Sequence, residues 1–154
     1  MTKEIPLTKG KVALVDDEDY ENLIQYNWCV QGSYAGRCKS KKRGETGGTR
    51  ITMHRQIMNV PDGMVVDHIN HDTFDNRKIN LRVCTYSQNS YNRKGKEGGT
   101  SIYKGVSWSN ASNKWGVIFN KKWVGTYDSE IEAARAYDKL ALENYGEYAY
   151  INNV

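Results

Sequence analysis

Two adjacent residues, Asp67 and His68, carry the strongest chemical signal in the sequence. They follow the apolar pair Val65-Val66, and the stretch has the pattern of a short strand. Side chains alternate along a strand, so the two would point to opposite faces unless the strand ends or twists there. A carboxylate suits a hard divalent ion, and a neutral imidazole suits a general base that takes a proton from water. This geometry suits a metal-bound carboxylate beside a general base, provided that the metal lies at the end of the strand, but Asp-His is a common dipeptide and by itself predicts no catalytic site.

A series of asparagines follows the pair. Asn80 lies 12 residues after His68, and Asn89 lies 9 residues after Asn80. An asparagine oxygen is a ligand for Mg²⁺ or Mn²⁺, and an asparagine amide can fix the orientation of an imidazole. Asn76 competes with Asn80 for the role of orienting the imidazole. Asn92 competes with Asn89 for the role of metal ligand. Because asparagines also cap helices and form turns, the prediction depends on the order of the whole set.

This segment resembles the HNH endonuclease family, in the phage and intron (homing) form in which asparagine replaces the last histidine of the motif. The residues that carry the resemblance are, in order, Asp67, His68, Asn76, Asn80, Leu81 and Asn89. The resemblance implies a ββα-metal core over roughly residues 64–93, with two strands and a helix around one divalent ion. It also implies that Asp67 and Asn89 bind the metal. His68 would then be the general base, and Asn80 would hold its imidazole in the productive tautomer.

Short strands and one helix are predicted before the motif. Residues 11–15 and 28–30 favour strands, and residues 20–26 have the spacing of a short amphipathic helix. His54 is interpreted as a structural residue, because a lone histidine most often has that role. A basic loop precedes it, and its residues Lys41, Lys42 and Arg43 are predicted to contact DNA phosphates.

A second pattern begins after a Gly- and Lys-rich stretch at 94–102, which is interpreted as a linker. Three strands are predicted, over 103–108, 115–119 and 122–127. Ser129 and Glu132 form a capping-box signature for a helix with one apolar face, and Gly146 ends that helix.

This C-terminal segment resembles the AP2/ERF DNA-binding domain. The matching stretches are Tyr103–Val106, Lys114-Trp115, Val124–Tyr127, Glu132–Asp138 and Tyr145–Glu147 with Asn152. The resemblance implies that one face of a three-stranded antiparallel sheet enters the major groove while a helix packs on the other face.

Strand alternation then sorts the side chains of this sheet. The residues expected to face the helix are Trp115, Val117, Phe119 and Val124. The residues expected to bind DNA are Lys104, Ser107, Lys114, Asn120, Lys121 and Trp123. Ser107 stands where the plant proteins usually have arginine, so phosphate binding with limited base readout is expected.

Charge and composition agree with a polyanionic partner. The 154 residues carry a net charge of only +4, but positive charge is concentrated in 37–55 and 93–122. The three cysteines form no Cys-x-x-Cys pair, so no structural zinc is expected. Because no apolar run has the length of a signal core or a membrane span, a cytoplasmic location is expected, in the bacterial host if the protein is phage-encoded.

Together these features predict an α+β protein in two domains. Residues 1–93 would form a small β-rich segment that leads into the HNH core, 94–102 the linker, and 103–154 the AP2-like domain. The expected function is metal-dependent hydrolysis of double-stranded DNA by a monomer that needs Mg²⁺ or Mn²⁺ and no small-molecule cofactor. The alternative is a non-catalytic DNA-binding regulator with a degenerate HNH core. An RNA-binding module with stacked aromatic residues is a third class, but no motif matches it.

Overall fold

The structure is a computed structural model of the chain, and it describes residues 1–39, 48–95 and 98–154. The chain divides into two compact units, Met1–Tyr86 and Ser87–Val154. Small antiparallel sheets and helices alternate along it, which confirms a mixed α and β architecture. The linker at 94–102 and the specific ββα-metal and AP2-like arrangements stay predictions. The predicted phosphate-binding residues Lys41, Lys42 and Arg43 lie outside the described residues.

The first unit combines short strands with two helices. Its elements are β1 (Thr2–Pro6), β2 (Val12–Asp16), α1 (Asp17–Ile24), β3 (Cys29–Gln31), β4 (Tyr34–Cys38), β5 (Arg50–Thr52), α2 (Met53–Met58), β6 (Val65–His68) and β7 (Leu81–Cys84). Two 3-10 turns lie at Thr8–Gly10 and Lys78–Asn80. Within the described ranges, β1 pairs with β2, β6 pairs with β7, and a three-stranded sheet has the order β3-β4-β5.

The core of this unit is built from the inward positions of β1 and β2 and from residues of later elements that pack on them. Its buried residues are Ile5, Leu7, Ala13, Val15, Leu23, Trp28, Ala35 and Met53. The indole nitrogen of Trp28 donates to the carbonyl oxygen of Leu23 at 2.8 Å, so the buried ring leaves no polar group unpaired. Three acidic residues in the first turn of α1, at 17–19, stabilise the positive end of its dipole.

The second strand of the motif starts later than its sequence pattern indicates. The stretch 78–82 is predicted as a strand, but Lys78–Asn80 is a 3-10 turn and β7 begins at Leu81. The backbone N–H of Lys78 donates to a carboxylate oxygen of Asp16 at 2.7 Å, so the first residue of the turn is hydrogen-bonded to the end of β2. Strand pairing begins only after the turn, where Leu81 lies opposite His68.

The second unit contains a three-stranded sheet and a long helix. Its elements are α3 (Tyr86–Tyr91, whose first residue ends the first unit), β8 (Val106–Ser109), β9 (Lys114–Phe119), β10 (Lys122–Tyr127) and α4 (Glu130–Tyr145), followed by a 3-10 turn at Gly146–Tyr148. The antiparallel sheet has the order β10-β9-β8. The predicted succession of three strands and a helix is observed, although the first strand begins at Val106.

Small residues on α4 allow it to pack closely on the sheet. Ala133, Ala134 and Ala141 are buried against Val117 and Phe119 of β9. Gly105 has a φ of +77°, and a Cβ there would lie 2.1 Å from Cδ2 of Tyr137 on α4. Position 105 therefore requires glycine for both its backbone conformation and the approach of the helix.

The prediction that Val124 faces the helix is wrong. Val117 and Phe119 are buried under α4 and Trp115 packs against the same cluster, as expected, but Val124 is 42% exposed. The register between β9 and β10 shifts between Trp123 and Gly125, so Val124 is an extra residue in a bulge and alternation fails there.

Within the described ranges, no helix combines the length and apolar character that crossing a membrane requires.

Candidate active site

The site in the first unit is built on the β6-β7 pair and the loop between these strands. Asp67 and His68 are the last two residues of β6, and both are buried. Asp67 lies directly opposite Arg82 on β7. The loop returns to β2, where the N–H of Leu14 donates to the carbonyl oxygen of Phe74 and the N–H of Asn76 donates to that of Leu14, both at 2.8 Å. The end of β6 is thus held against the core of the unit.

Arg82 binds the carboxylate of Asp67. Its Nε and Nη2 donate to Oδ2 of Asp67 at 2.9 and 2.6 Å, and both side chains are nearly buried. Charge-assisted bonds of this length are strong and hold Oδ2 of the carboxylate beside the guanidinium. Arg82, the cross-strand neighbour of Asp67, therefore orients the carboxylate that the sequence predicts to be a metal ligand. The sequence interpretation did not single out Arg82, although the strand register gives it this place.

The imidazole of His68 is hydrogen-bonded by Asn76. Nε2 of His68 lies 3.4 Å from Oδ1 of Asn76. Nδ2 of Asn76 donates to the carbonyl oxygen of Phe74 at 3.1 Å, so the amide must present its oxygen to the imidazole. Nε2 of His68 then carries the proton, and Nδ1 is the basic nitrogen. The described bond thus goes to Asn76, the competing candidate, rather than to Asn80.

Asn80 closes the loop. Its Oδ1 accepts from the backbone N–H of Asn70 at 3.0 Å, and its Nδ2 donates to the carbonyl oxygen of Asp75 at 2.8 Å. The two bonds link the backbone at the start of the loop to the backbone at Asp75, and the second of them pairs a buried carbonyl oxygen. The described bonds of Asn80 are those of a residue that shapes the loop, and its direct role at the imidazole stays a prediction.

Ion pairs stiffen the same loop. Nε and Nη2 of Arg77 donate to the two carboxylate oxygens of Asp75 at 2.7 and 2.6 Å. The bond from Arg77 is the main reason that the pKa of Asp75 lies below its usual value. Lys78 forms ion pairs with Glu18 and Asp19 on α1, so the acidic cluster of the sequence anchors the turn before β7.

A second histidine lies beside His68. The ring centroids of His54 and His68 are 5.1 Å apart with an interplanar angle of 84°. The ring of Tyr34 contacts both, at 5.1 Å from His54 and 6.0 Å from His68. Burial, and next the proximity of His68, lower the pKa of His54 to about 4. Burial also lowers the pKa of His68, against the opposing effects of Asn76 and nearby aspartates.

His54 is therefore in contact with the predicted general base. Its sequence context, which favoured a structural role, did not indicate this contact. His54 is the second residue of α2, and Arg55 ties this helix to the segment before β6 by donating to the carbonyl oxygen of Met64 at 3.1 Å. The two imidazoles come together through contacts between separate elements, and spacing along the chain gives no sign of this.

The donor chemistry around Asp67 fits a hard divalent ion. Among the residues that the structure describes, no group of three or more His, Cys, Asp or Glu side chains could hold a metal. Mg²⁺ and Mn²⁺ need few protein ligands, however, since waters and substrate phosphate oxygens complete their coordination. One carboxylate and one amide oxygen are a sufficient protein contribution. Asn89, the predicted amide ligand, belongs to the second unit, and its pairing with Asp67 stays a prediction.

In the second unit, Trp123 lies on the face of the sheet opposite α4. Its side chain is 56% exposed, and a Cβ on Gly116 would lie 2.2 Å from Cη2 of its ring. The indole therefore lies across Gly116, beside its exposed cross-strand neighbour Ile118. Ser107 pairs with Gly116 from the other side. This is the face that the AP2-like pattern assigns to DNA.

The polar residues predicted to bind DNA have different environments. Asn120 and Lys121 form the β9-β10 turn with positive φ angles of 51° and 62°, and the hydroxyl of Tyr145 donates to Oδ1 of Asn120. Lys114 forms an ion pair with Asp128 at 2.9 Å.

Lys104 has an internal role in the same unit. Its ammonium donates to the carbonyl oxygens of Tyr91 and Arg93 at 2.8 and 2.7 Å, at and beyond the end of α3. Burial lowers its pKa. The ammonium of Lys104 is therefore hydrogen-bonded within the unit, and its predicted contact with DNA stays a prediction.

Similarity to known proteins agrees with this site. Residues 59–91, which include β6, the loop and β7, match the HNH endonuclease family. The chain carries an HNH endonuclease domain. It is an enzyme, a hydrolase that cleaves DNA. The matched segment contains the predicted catalytic and metal-binding residues, but the AP2-like part of the chain lies outside it.

Two viral proteins resemble the chain. An uncharacterized HNH endonuclease of Acanthamoeba polyphaga mimivirus is 29% identical over 155 residues, which cover 95% of this chain and 77% of that protein. Protein 3.8 of Escherichia phage T7 is 36% identical over 56 residues, which cover 36% of this chain and 46% of that protein. No solved structure shows a significant match.

Proposed function

We propose that the HNH domain hydrolyses phosphodiester bonds of double-stranded DNA with His68 as the general base. The observation that carries the proposal is the chain of hydrogen bonds from Phe74 through Asn76 to His68, which leaves Nδ1 of His68 as the basic nitrogen. Because burial lowers the pKa of His68, the imidazole is neutral at pH 7 and can accept a proton from water. General base catalysis of this kind typically contributes about 10²–10⁴-fold.

Asp67 is the proposed protein ligand for one Mg²⁺ or Mn²⁺ ion, together with Asn89 as the resemblance implies. Such an ion would neutralise charge on the scissile phosphate and on the departing oxygen. Arg82 keeps the carboxylate of Asp67 in a fixed orientation through two hydrogen bonds to one oxygen, and Asn80 keeps the loop beside it closed.

The second unit is proposed to anchor the DNA through the AP2-like sheet. Exposed aromatic and apolar side chains on its free face, Trp123 and Ile118, are flanked by the turn that carries Lys121. Aromatic surface with neighbouring positive charge suits contact with bases and phosphates. The limited number of arginines supports phosphate binding over base readout.

A plasmid-cleavage assay tests the proposal. Wild-type protein with Mg²⁺ or Mn²⁺ should nick or linearise plasmid DNA, and chelation by EDTA should stop the reaction. His68→Ala should lower the rate at least a hundredfold while DNA affinity and melting temperature stay close to wild type. Tight duplex binding without metal-dependent cleavage by the wild type would instead favour a DNA-binding regulator with a degenerate core.

A further inference from the structure

One nitrogen of His54 is buried without a hydrogen-bond partner among the residues that the structure describes. The side chain is 7% exposed, and its Nε2 lies 3.2 Å from the hydroxyl oxygen of Thr52. Nδ1 is inaccessible to solvent and makes no hydrogen bond to any described residue. An unpaired buried polar atom destabilises the folded state, and phenylalanine would avoid this penalty while keeping a ring at this place. The imidazole is therefore better explained by a partner that arrives than by packing.

The position of His54 indicates where that partner would come from. Its ring lies edge to face against the ring of His68, with centroids 5.1 Å apart. Any group that reaches the general base also approaches His54. The ring of Tyr34 contacts both imidazoles and is 38% exposed, so it is the most exposed of the three rings.

The chemistry of His54 favours an anionic oxygen as the partner. If the hydroxyl of Thr52 donates to Nε2, then Nδ1 carries the proton and is a donor. The substrate of a DNA endonuclease offers phosphate oxygens, which only accept hydrogen bonds. A neutral donor at a phosphate stabilises the negative charge that develops there during attack. Burial and the neighbouring His68 keep His54 neutral at pH 7, so it needs no compensating acid.

We propose that Nδ1 of His54 donates a hydrogen bond to a non-bridging oxygen of the phosphate that is attacked at His68. This makes His54 a second catalytic residue of the HNH domain, contributed by α2 rather than by the β6-β7 motif. The inference rests on the proposed function, because it takes the DNA phosphate as the ligand.

Three substitutions of His54 separate this role from packing. His54→Phe keeps a ring and removes both nitrogens, His54→Asn keeps a donor near the place of Nδ1, and His54→Gln keeps one near the place of Nε2. The rate of cleavage should fall at least tenfold in His54→Phe and His54→Gln, and less in His54→Asn. The melting temperature of His54→Phe should be equal to or higher than that of wild type, since the unpaired nitrogen is gone. Equal cleavage by wild type and His54→Phe, or a loss of activity that simply follows a loss of stability across the three variants, overturns the proposal.

A spectroscopic measurement tests the contact even if cleavage is not observed. The chain has three histidines, so imidazole ¹⁵N signals are few and His54→Phe assigns the one that matters. Addition of a short DNA duplex with Ca²⁺ in place of Mg²⁺ should shift the Nδ1 signal of His54 and slow exchange of its proton. An unchanged Nδ1 signal at saturating DNA overturns the inference. Failure of the wild type to cleave any DNA overturns the proposed function instead, and the two failures are thereby distinguished.

Discussion

Arg82 donates two hydrogen bonds to a single carboxylate oxygen of Asp67, the residue directly opposite it on the neighbouring strand. Both side chains are nearly buried, so water stabilises their charges poorly and each charge is stabilised by the opposite charge of the other. Breaking such a pair costs more than forming it contributes, because the remaining charge is left without a partner in a poorly solvated place. The strand register thus couples the stability of the first unit to the acid at its active site.

Replacement of Arg82 tests this coupling. Arg82→Ala should lower the free energy of unfolding by about 3 kcal/mol, since the buried carboxylate of Asp67 then loses the Arg82 guanidinium. Mg²⁺ should raise the melting temperature of Arg82→Ala more than that of wild type, because the ion supplies the missing positive charge. Arg82→Lys keeps the charge but loses the two-point geometry, and its stability should lie between the two. Unfolding in denaturant measures all three, and a loss under about 1 kcal/mol in Arg82→Ala would contradict the coupling.

The two asparagines of the loop should have different effects. Asn76→Ala removes the acceptor that fixes the tautomer of His68, so kcat should fall about 10- to 100-fold with little change in KM. Asn80→Ala removes two bonds to backbone groups, and it should lower the free energy of unfolding by about 2 kcal/mol. Well below its melting temperature, Asn80→Ala should keep most of its activity. Steady-state kinetics and thermal unfolding of both variants test this difference, and the reverse result would support Asn80 as the residue that orients the imidazole.

Stability should depend on pH through His54. Its pKa is lowered from 6.5 to about 4 in the folded protein, so between these values the unfolded chain binds a proton that the folded one does not. Proton binding to the unfolded chain therefore lowers the free energy of unfolding as the pH falls from 6.5 towards 4, and above pH 6.5 this loss is absent. A shift of this size corresponds to about 3 kcal/mol.

His54→Phe has no proton to bind at this place. Denaturant unfolding between pH 7 and pH 4.5 should therefore show a smaller loss of stability in His54→Phe than in wild type. Identical pH slopes for the two proteins would mean that His54 is not neutral when buried. Asp75 has a lowered pKa and contributes in a more acidic range, so it does not confuse the comparison.

The free face of the second sheet can be tested with neighbouring residues. Trp123→Ala removes an exposed ring and should weaken binding of duplex DNA about tenfold, with a small change in melting temperature. Val124→Ala is the matched control, because Val124 is next in the chain and is also exposed, but it sits in the bulge. Its DNA affinity should stay within about twofold of wild type. Equal losses in both variants, measured by fluorescence anisotropy, would argue against a specific role for Trp123.

Local signals in the sequence are sufficient to predict many of the strands, core positions and motif residues of this protein. The apolar pair Val65-Val66 predicts β6, alternation predicts the core positions Val117 and Phe119, and the capping pattern at Ser129 correctly places the start of α4. The order of Asp67, His68 and the asparagines identifies the HNH segment, because such motifs depend on spacing along one stretch of chain. These features follow from neighbouring residues and need no knowledge of distant ones.

Tertiary structure alone decides which side chains meet. Asn76 is hydrogen-bonded to His68, and the loop that carries it is held on β2, which lies far earlier in the chain. His54 joins the same site from α2, and Lys104 turns inwards to carbonyl groups near α3. A bulge, which no periodicity signals, exposes Val124. In each case the outcome depends on contacts between separate elements, and residue type and spacing do not specify these.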